Sequence, residues 1–180
     1  MIKELVEEGR EVEMEKSRKH GVYEKVPIEE CWKETGKAPV GVKWVDTNKG
    51  DKKKPEYRCR LVAKEIKKDK REDLFAATPP LEAKKMLFSL FASMPGMSLD
   101  FGDVVRAYFH AKARRKVFVD LPKEDYEEGK CGLLKKSMYG TRDAAQNWEL
   151  EYTEMMIEAA SSKDRTVCVR FTMRRRTFGS

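Results

Sequence analysis

The sequence predicts an α+β fold, with a mostly antiparallel sheet and helices packed on one side. Apolar residues at every second position over 40–45 and 57–63 indicate strands. Apolar residues at helical spacing over 83–94 and 144–159 indicate helices that alternate with the strands along the chain. With 180 residues the chain is long enough for one core, or for two small lobes that share one.

Composition narrows the class of protein. The charged fraction is 38% and the mean hydropathy is -0.71. No apolar run approaches a membrane span, and residues 1–16 lack the apolar core of a signal peptide, so we expect a protein of the cell interior, in cytoplasm or nucleus. Cys31, Cys59, Cys131 and Cys168 lie far apart, which predicts reduced thiols and neither a zinc site nor a disulfide framework.

The net charge of +7 is unevenly distributed. Residues 49–71 carry eleven Lys and Arg against four acids, and residues 161–180 carry six against one. A basic patch of this kind is expected of a groove that follows phosphates. A solvated lysine-rich turn has the same composition, so charge alone leaves both interpretations open.

The first half of the chain predicts a helix and then a hairpin. Residues 1–19 have the apolar spacing of a surface helix that frays, and 22–39 suggest a short strand, a turn at Pro27 and a brief helix. We expect Trp32 in that helix to be a core residue. Residues 40–45 and 57–64 then form two strands around the polar turn NKGDKKKP.

The second strand of this hairpin has one apolar and one cationic face. Because side chains alternate along a strand, the cationic face bears Arg58, Arg60 and Lys64. Guanidinium groups bind phosphate oxygens bidentately, so this face can hold a triphosphate. An ordinary solvent-facing surface is the alternative.

The second half predicts the following elements. Residues 83–94 form a helix whose Met and aromatic stripe packs in the core, against the sheet that contains Asp103. Residues 116–122 and 133–139 form strands, and Thr141 is a suitable N-cap for a long helix to residue 159. Residues 161–180 predict an edge strand or a disordered basic tail.

The central stretch of the chain is SLDFGDVVRAYFHA, residues 98–111. Met97, Leu99 and Phe101 alternate on one strand face, and the next position in this register is Asp103. An ionised carboxylate is costly to bury unpaired, so Asp103 must reach solvent, a basic partner or a metal ion. Capping of a helix that begins near Val105 is the competing structural role.

Five segments together resemble the reverse transcriptase domain of copia-type retrotransposon polyproteins, from about residue 22 to about residue 156. In family order they are VGVKWVDTNKG, YRCRLVAKE, DVVRAYFHA, KVFVDLP and KKSMYGTRDAAQNW. The resemblance implies a polymerase-like fingers and partial palm. It also implies nucleotidyl transfer with Mg²⁺, deoxynucleotides, an RNA template and a DNA primer.

The resemblance also implies roles for single residues. Asp103 matches the first metal-binding catalytic Asp, with the Val104 carbonyl as a further metal ligand. Tyr108 occupies the position of the aromatic residue that excludes ribonucleotides by crowding the 2′ position. Arg58 and Arg60 match the basic finger strand that contacts the triphosphate, and the sequence does not decide which is the main contact.

The chain departs from the family pattern at three places. Glu65 replaces a usual glycine, and Asp143 replaces a usual Gln, where an acid would repel a bound triphosphate. The Asp-Asp pair of the later Tyr-x-Asp-Asp motif is missing. Since catalytic carboxylates act together, one Asp cannot replace three.

These observations predict a charged N-terminal extension at 1–21, reverse-transcriptase-like fingers and partial palm at 22–160, and a basic tail at 161–180. The expected function is a catalytically incomplete RNA-directed DNA polymerase domain, inactive alone, from a polyprotein or alongside the remaining polymerase portion. A change of reading frame or a premature end near residue 160 would fit the loss of pattern. The alternatives are a non-catalytic nucleic-acid-binding remnant and a poorly folded product without function.

Overall fold

A computed structural model describes residues 2–51, 53–66, 80–95, 101–161 and 171–172. Its helices and strands run in this order: α1 (Ile2–His20), β1 (Tyr23–Pro27), α2 (Ile28–Thr35), β2 (Val42–Asn48), β3 (Tyr57–Ala63), α3 (Leu81–Ser93), β4 (Phe101–Gly102), α4 (Ala107–His110), β5 (Phe118–Val119), β6 (Lys130–Leu134), α5 (Ala144–Ser161) and β7 (Phe171–Thr172). A 3₁₀ turn at Lys123–Asp125 precedes β6. The predicted α+β class is confirmed.

Antiparallel pairing dominates the described strands, as predicted. One sheet has the order β1-β6-β5, and β2 and β3 form a separate hairpin in which Val42 lies opposite Ala63 and Asn48 opposite Tyr57. The third pairing is parallel and joins β4 to β7. Part of the C-terminal segment is therefore a strand, which was one of its two predicted states.

The three-stranded sheet is covered on both faces. Side chains alternate along β5 and its flanks, so Val117 and Val119 enter one cluster while Phe118 enters another. The larger cluster gathers residues from six parts of the chain: Met14, Val22, Leu61, Ala63, Phe109, Val117, Val119, Leu134 and Met138. The smaller contains Val26, Cys31, Phe118 and Cys131.

Helix α1 belongs to this core, although its sequence predicts a fraying surface helix. Met14 is completely buried in the larger cluster, and Glu13 and Ser17 are buried beside it. The helix packs on the apolar face of β3. The predicted helix is confirmed, but its burial was not expected because a few apolar residues among many charges give a weak amphipathic signal.

Two predictions of core packing are wrong. Helix α3 has no buried residue in the structure, and Trp32 is 51% exposed. The apolar stripe of α3 correctly indicates a helix, but periodicity does not reveal whether a partner surface is present. No helix in the described part of the chain is long and apolar enough to cross a membrane.

Helix α5 begins later than predicted, at Ala144. Thr141 is not its N-cap, because its hydroxyl donates to the Met138 carbonyl at 2.9 Å. This bond closes a turn between β6 and α5.

Candidate active site

Main-chain hydrogen bonds bring the five family-like segments together. The Val40 N–H donates to the Phe118 carbonyl at 2.8 Å, which joins the first segment to the fourth. The Ala63 N–H donates to Tyr139 at 2.8 Å and joins the second to the fifth. Another bond, from Ser137 N–H to the Ala111 carbonyl at 2.8 Å, joins the fifth to the third. Residues up to 78 positions apart in the chain are therefore brought together on one surface.

Asp103 follows β4 directly and is exposed to solvent. No side chain of the described residues pairs with its carboxylate. The alternative role as a helix cap is wrong, because α4 begins at Ala107 and has Arg106 as its N-cap. Val104 is half-buried beside it. The described strand before Asp103 is Phe101–Gly102, and the predicted register at Met97 and Leu99 lies outside the described residues.

A left-handed residue shapes the turn between Asp103 and Tyr108. Arg106 has φ 53° and ψ 46°, a conformation that side-chain-bearing residues seldom adopt. Its Nε donates to Oε2 of Glu13 at 2.8 Å, and Nη2 lies 2.8 Å from the same oxygen. This ion pair, whose Glu13 side chain is only 5% exposed, connects the turn to α1.

Tyr139 lies between two of the predicted site residues. Its ring is 5.1 Å from the ring of Tyr108, in an edge-on arrangement, and the Arg60 guanidinium carbon lies 5.4 Å from its centroid. Burial raises the pKa of the Tyr139 hydroxyl, although the nearby Arg60 opposes the shift. Edge-on aromatic pairs and cation–π contacts are each favourable by about 0.5–1.5 kcal/mol.

Sequence reasoning missed Tyr139, although it lies in the quoted segment KKSMYG. The signal was the Tyr-Gly pair. Gly140 has φ +84°, and a Cβ there would lie 2.1 Å from the Ala63 carbonyl oxygen. Only glycine lets this turn approach the edge of β3, and that approach is what places Tyr139 beside Arg60.

The predicted alternation along β3 is confirmed. Cys59, Leu61 and Ala63 are buried, whereas Arg58 is exposed. Arg58 lines an open groove of about 660 Å³ whose other walls include α1 and the pair Val105–Arg106. One of the two predicted arginines therefore lies at the groove beside the Asp103 turn, and the other stacks on Tyr139.

Comparison with known proteins gives a family for this surface. Residues 31–179 match the family described as reverse transcriptase (RNA-dependent DNA polymerase). The chain belongs to the reverse transcriptase family. The match continues to residue 179, beyond the limit near 156 that the sequence suggested.

A curated relative agrees with this assignment. The chain is 28% identical over 152 residues to the retrovirus-related Pol polyprotein from transposon TNT 1-94 of Nicotiana tabacum. The alignment covers 80% of this chain and 11% of the relative, so the chain spans about a tenth of that polyprotein. The predicted copia-type reverse transcriptase domain is confirmed. No solved structure matches the chain.

Reverse transcriptases generally use divalent metal ions, and the described residues do not fit a pair of them. No group of three or more His, Cys, Asp or Glu side chains suitable for a metal occurs among the described residues. Asp103 is the single acidic side chain that the described part of the turn offers. Two-ion sites need several carboxylates to fix both ions, so these residues supply at most part of the donor set.

The two acidic departures from the reverse transcriptase pattern share one partner. Arg115 Nη2 lies 2.6 Å from Glu65 Oε2 and 2.9 Å from Asp143 Oδ1. Asn147 donates to the other Asp143 oxygen at 3.2 Å, and the Arg142 main-chain N–H donates to Glu65 at 2.8 Å. Burial lowers the pKa of Arg115, but its bonds to the two acids outweigh this and raise it overall. The Asp143 charge is therefore compensated within the domain, which weakens the expected repulsion of a triphosphate.

Proposed function

We propose that the chain is the fingers and partial palm of an RNA-directed DNA polymerase from a copia-type Pol polyprotein, and that it is inactive on its own. It would act inside the cell on an RNA template, a DNA primer and deoxynucleotides. The observation that carries this proposal is the arrangement around Tyr139, which contacts Tyr108 edge-on and has the Arg60 guanidinium over its ring. Tyr108 follows the turn that begins at the exposed Asp103.

Each predicted residue has a role in this proposal. Tyr108 is half-buried and held edge-on by Tyr139, so it presents a fixed obstacle that a deoxyribose passes and a 2′-hydroxyl does not. Arg58 and Arg60 would bind the triphosphate. Because Arg60 already stacks on Tyr139, the exposed Arg58 has more freedom to contact phosphate and is proposed as the main contact.

Asp103 would be the first of the metal-binding carboxylates, with the Val104 carbonyl beside it. No catalytic step can be assigned to metal ions in this chain alone, because its sequence lacks the Asp-Asp pair of the Tyr-x-Asp-Asp motif. Removing members of a catalytic unit costs several orders of magnitude in rate. The chain would therefore bind substrates, and the polymerase portion that carries the acidic pair would complete the reaction.

Primer extension on an RNA template, with Mg²⁺ and dUTP, tests this proposal alongside nucleotide binding. The nucleotides dUTP and UTP differ only at the 2′ position. We expect dUTP to bind more tightly than UTP, and we expect no extension above background by the wild-type chain. Tyr108→Ala should reduce the preference for the deoxyribonucleotide, and Arg58→Ala should weaken the binding of both nucleotides. Asp120, another exposed carboxylate in the segment KVFVDLP, supplies the control variant Asp120→Asn. Extension that Asp103→Asn abolishes but Asp120→Asn does not would contradict the proposed inactivity. Equal affinity of the wild type for both nucleotides would contradict the role of Tyr108.

A non-catalytic nucleic-acid-binding remnant is the second candidate. The observation that favours it is the row of exposed lysines at the β2–β3 turn, Lys49, Lys53 and Lys54. If these contact phosphates, the affinity for an RNA/DNA hybrid falls with salt, by a log–log slope of about 0.9 per neutralised phosphate. The double substitution Lys53→Gln, Lys54→Gln should then lower this salt-dependence slope by about 2. Under this second candidate function the chain should show no preference between deoxyribonucleotides and ribonucleotides.

A further inference from the structure

Helix α1 lies before the residues that match the reverse transcriptase family, 31–179, yet it contacts both parts of the proposed nucleotide site. One part is the β2–β3 hairpin with Arg58 and Arg60. The other is the turn from Asp103 to Tyr108 together with α4. A helix attached to both parts controls the distance between them, and that distance would affect the binding of a nucleotide between them.

The attachment to the hairpin is close. Gly9 faces β3, where an added Cβ would lie 2.9 Å from Cys59 Sγ and 3.1 Å from the Tyr57 carbonyl oxygen. One turn of α1 therefore rests directly on the strand. Arg10 reaches the neighbouring strand, with Nη2 2.6 Å from Asp46 Oδ2. This guanidinium lowers the pKa of the Asp46 carboxyl, which keeps the ion pair charged at neutral pH.

The attachment to the turn is the Glu13–Arg106 ion pair. Both short contacts from Arg106 go to Oε2, and Oε1 of the buried Glu13 has no hydrogen-bond partner among the described residues. A buried carboxylate with one unpaired oxygen is a poor source of stability. Its geometric effect is clear, because it fixes the left-handed residue that redirects the chain from Asp103 into α4.

The far end of α1 contacts α4 again. The His20 ring lies 5.0 Å from His110 and 5.9 Å from Phe109, and the Phe109 ring lies 5.9 Å from Tyr139. Contacts near both ends of α4 prevent this single-turn helix from pivoting about the ion pair. Tyr108 lies between the two contacts.

We propose that α1 is a clamp that sets the distance between the β3 arginines and the Asp103–Tyr108 turn, with Glu13 as its positioning residue. This inference rests on the proposed function, because it makes the sugar selectivity of Tyr108 depend on a helix outside the family match. Glu13 contacts no nucleotide in this scheme. It acts through Arg106.

Hydrogen–deuterium exchange of the full chain tests the clamp without any nucleotide. Glu13→Gln keeps the size of the side chain and removes its charge, and Glu15→Gln is the matched control at an exposed position on the same helix. We expect exchange over 104–110 to rise about tenfold or more in Glu13→Gln, while β6 and the control stay within about twofold of wild type. Equal acceleration of β6 would show a general stabilising role and overturn the proposal, as would unchanged exchange at 104–110.

Arg106→Asn is the second variant, and it covers the case in which Glu13→Gln fails to fold. Asparagine is enriched in the left-handed conformation and lacks the added backbone freedom of glycine, so this variant removes the ion pair with little added strain. Faster exchange over 104–110 with β6 unchanged supports the clamp. If residues 104–110 of the variant exchange at the wild-type rate, the backbone conformation alone holds the turn, and the proposal is overturned.

A nucleotide measurement separates failure of the clamp from failure of the proposed function. When binding is measured well below the unfolding temperature, the preference for dUTP over UTP should fall by about tenfold in Glu13→Gln, while Glu15→Gln retains it. If the wild type shows no preference, the proposed role of Tyr108 in sugar selection fails, and the exchange data still decide whether α1 holds the turn. An unchanged preference in Glu13→Gln would contradict the positioning role.

Discussion

Arg115 provides the sharpest test of how this domain tolerates its two unusual acids. In Arg115→Met, Glu65 and Asp143 would lose their shared cation, and their side chains are only 17% and 9% exposed. Removing one partner of a fully buried pair costs about 3–5 kcal/mol. Because Arg115 itself is 33% exposed, we expect a smaller loss in the free energy of unfolding, about 2–3 kcal/mol.

Urea unfolding measures this loss, and the adjacent arginine is its control. Arg114 Nη2 lies 2.9 Å from Glu154, but both side chains are largely exposed, so Arg114→Met should cost less than about 1 kcal/mol. In the double variant Arg115→Met, Asp143→Asn, the loss should be smaller than the sum of the two single losses by about 1–2 kcal/mol. The reason is that Arg115→Met leaves the Asp143 charge unpaired, and Asp143→Asn removes that charge. Equal losses at 114 and 115, or strict additivity, would refute the reasoning.

Two further predictions concern a glycine that contacts β3 and a thiol on β3. Gly140→Ala should cost about 3 kcal/mol of unfolding free energy, since φ is +84° and the new Cβ meets the Ala63 carbonyl. Gly129→Ala, with φ +71° and open space around the new Cβ, should cost about 1 kcal/mol, and similar thermal shifts for the two variants would contradict this. Burial, helped by a hydrogen bond with Asp46, raises the pKa of the Cys59 thiol to about 12. Because the folded state favours the neutral thiol, Cys59 should leave stability unchanged below about pH 8.5 and lower it at higher pH, by up to about 1.4 kcal/mol per pH unit. Burial also raises the pKa of the Cys131 thiol, to about 11, so Cys59→Ala should reduce the measured slope in urea unfolding without removing it.

The strand pattern of the hairpin was predictable because it depends on local alternation. Cys59, Leu61 and Ala63 are buried, and Arg58 faces outwards, as period-two spacing requires. The local strand register singled out Asp103 but left solvent exposure, a basic partner, a metal ion and helix capping open, and the family resemblance selected the metal-binding role. Tyr108 came from the resemblance alone. Resemblance and alternation therefore supplied different parts of the site.

Long-range contacts were not predictable. The sequence indicated that Asp143 would repel a triphosphate, but nothing local shows that Arg115 lies against it and against Glu65. The Glu13–Arg106 pair spans 93 positions and likewise has no local signal. Such pairings follow from topology, which composition and periodicity do not determine.

Helix α3 has a consequence for how the domain unfolds. Among the described residues it buries no side chain, and Met86, Phe88, Phe91 and Met94 are each more than 40% exposed. A 13-residue helix that buries no side chain fully is marginal in water, because the unfavourable initiation of its first turn is barely offset by the few bonds that follow. On warming, these residues would exchange between helix and coil well before the sheet melts, so a far-ultraviolet circular dichroism trace would drift ahead of the main transition.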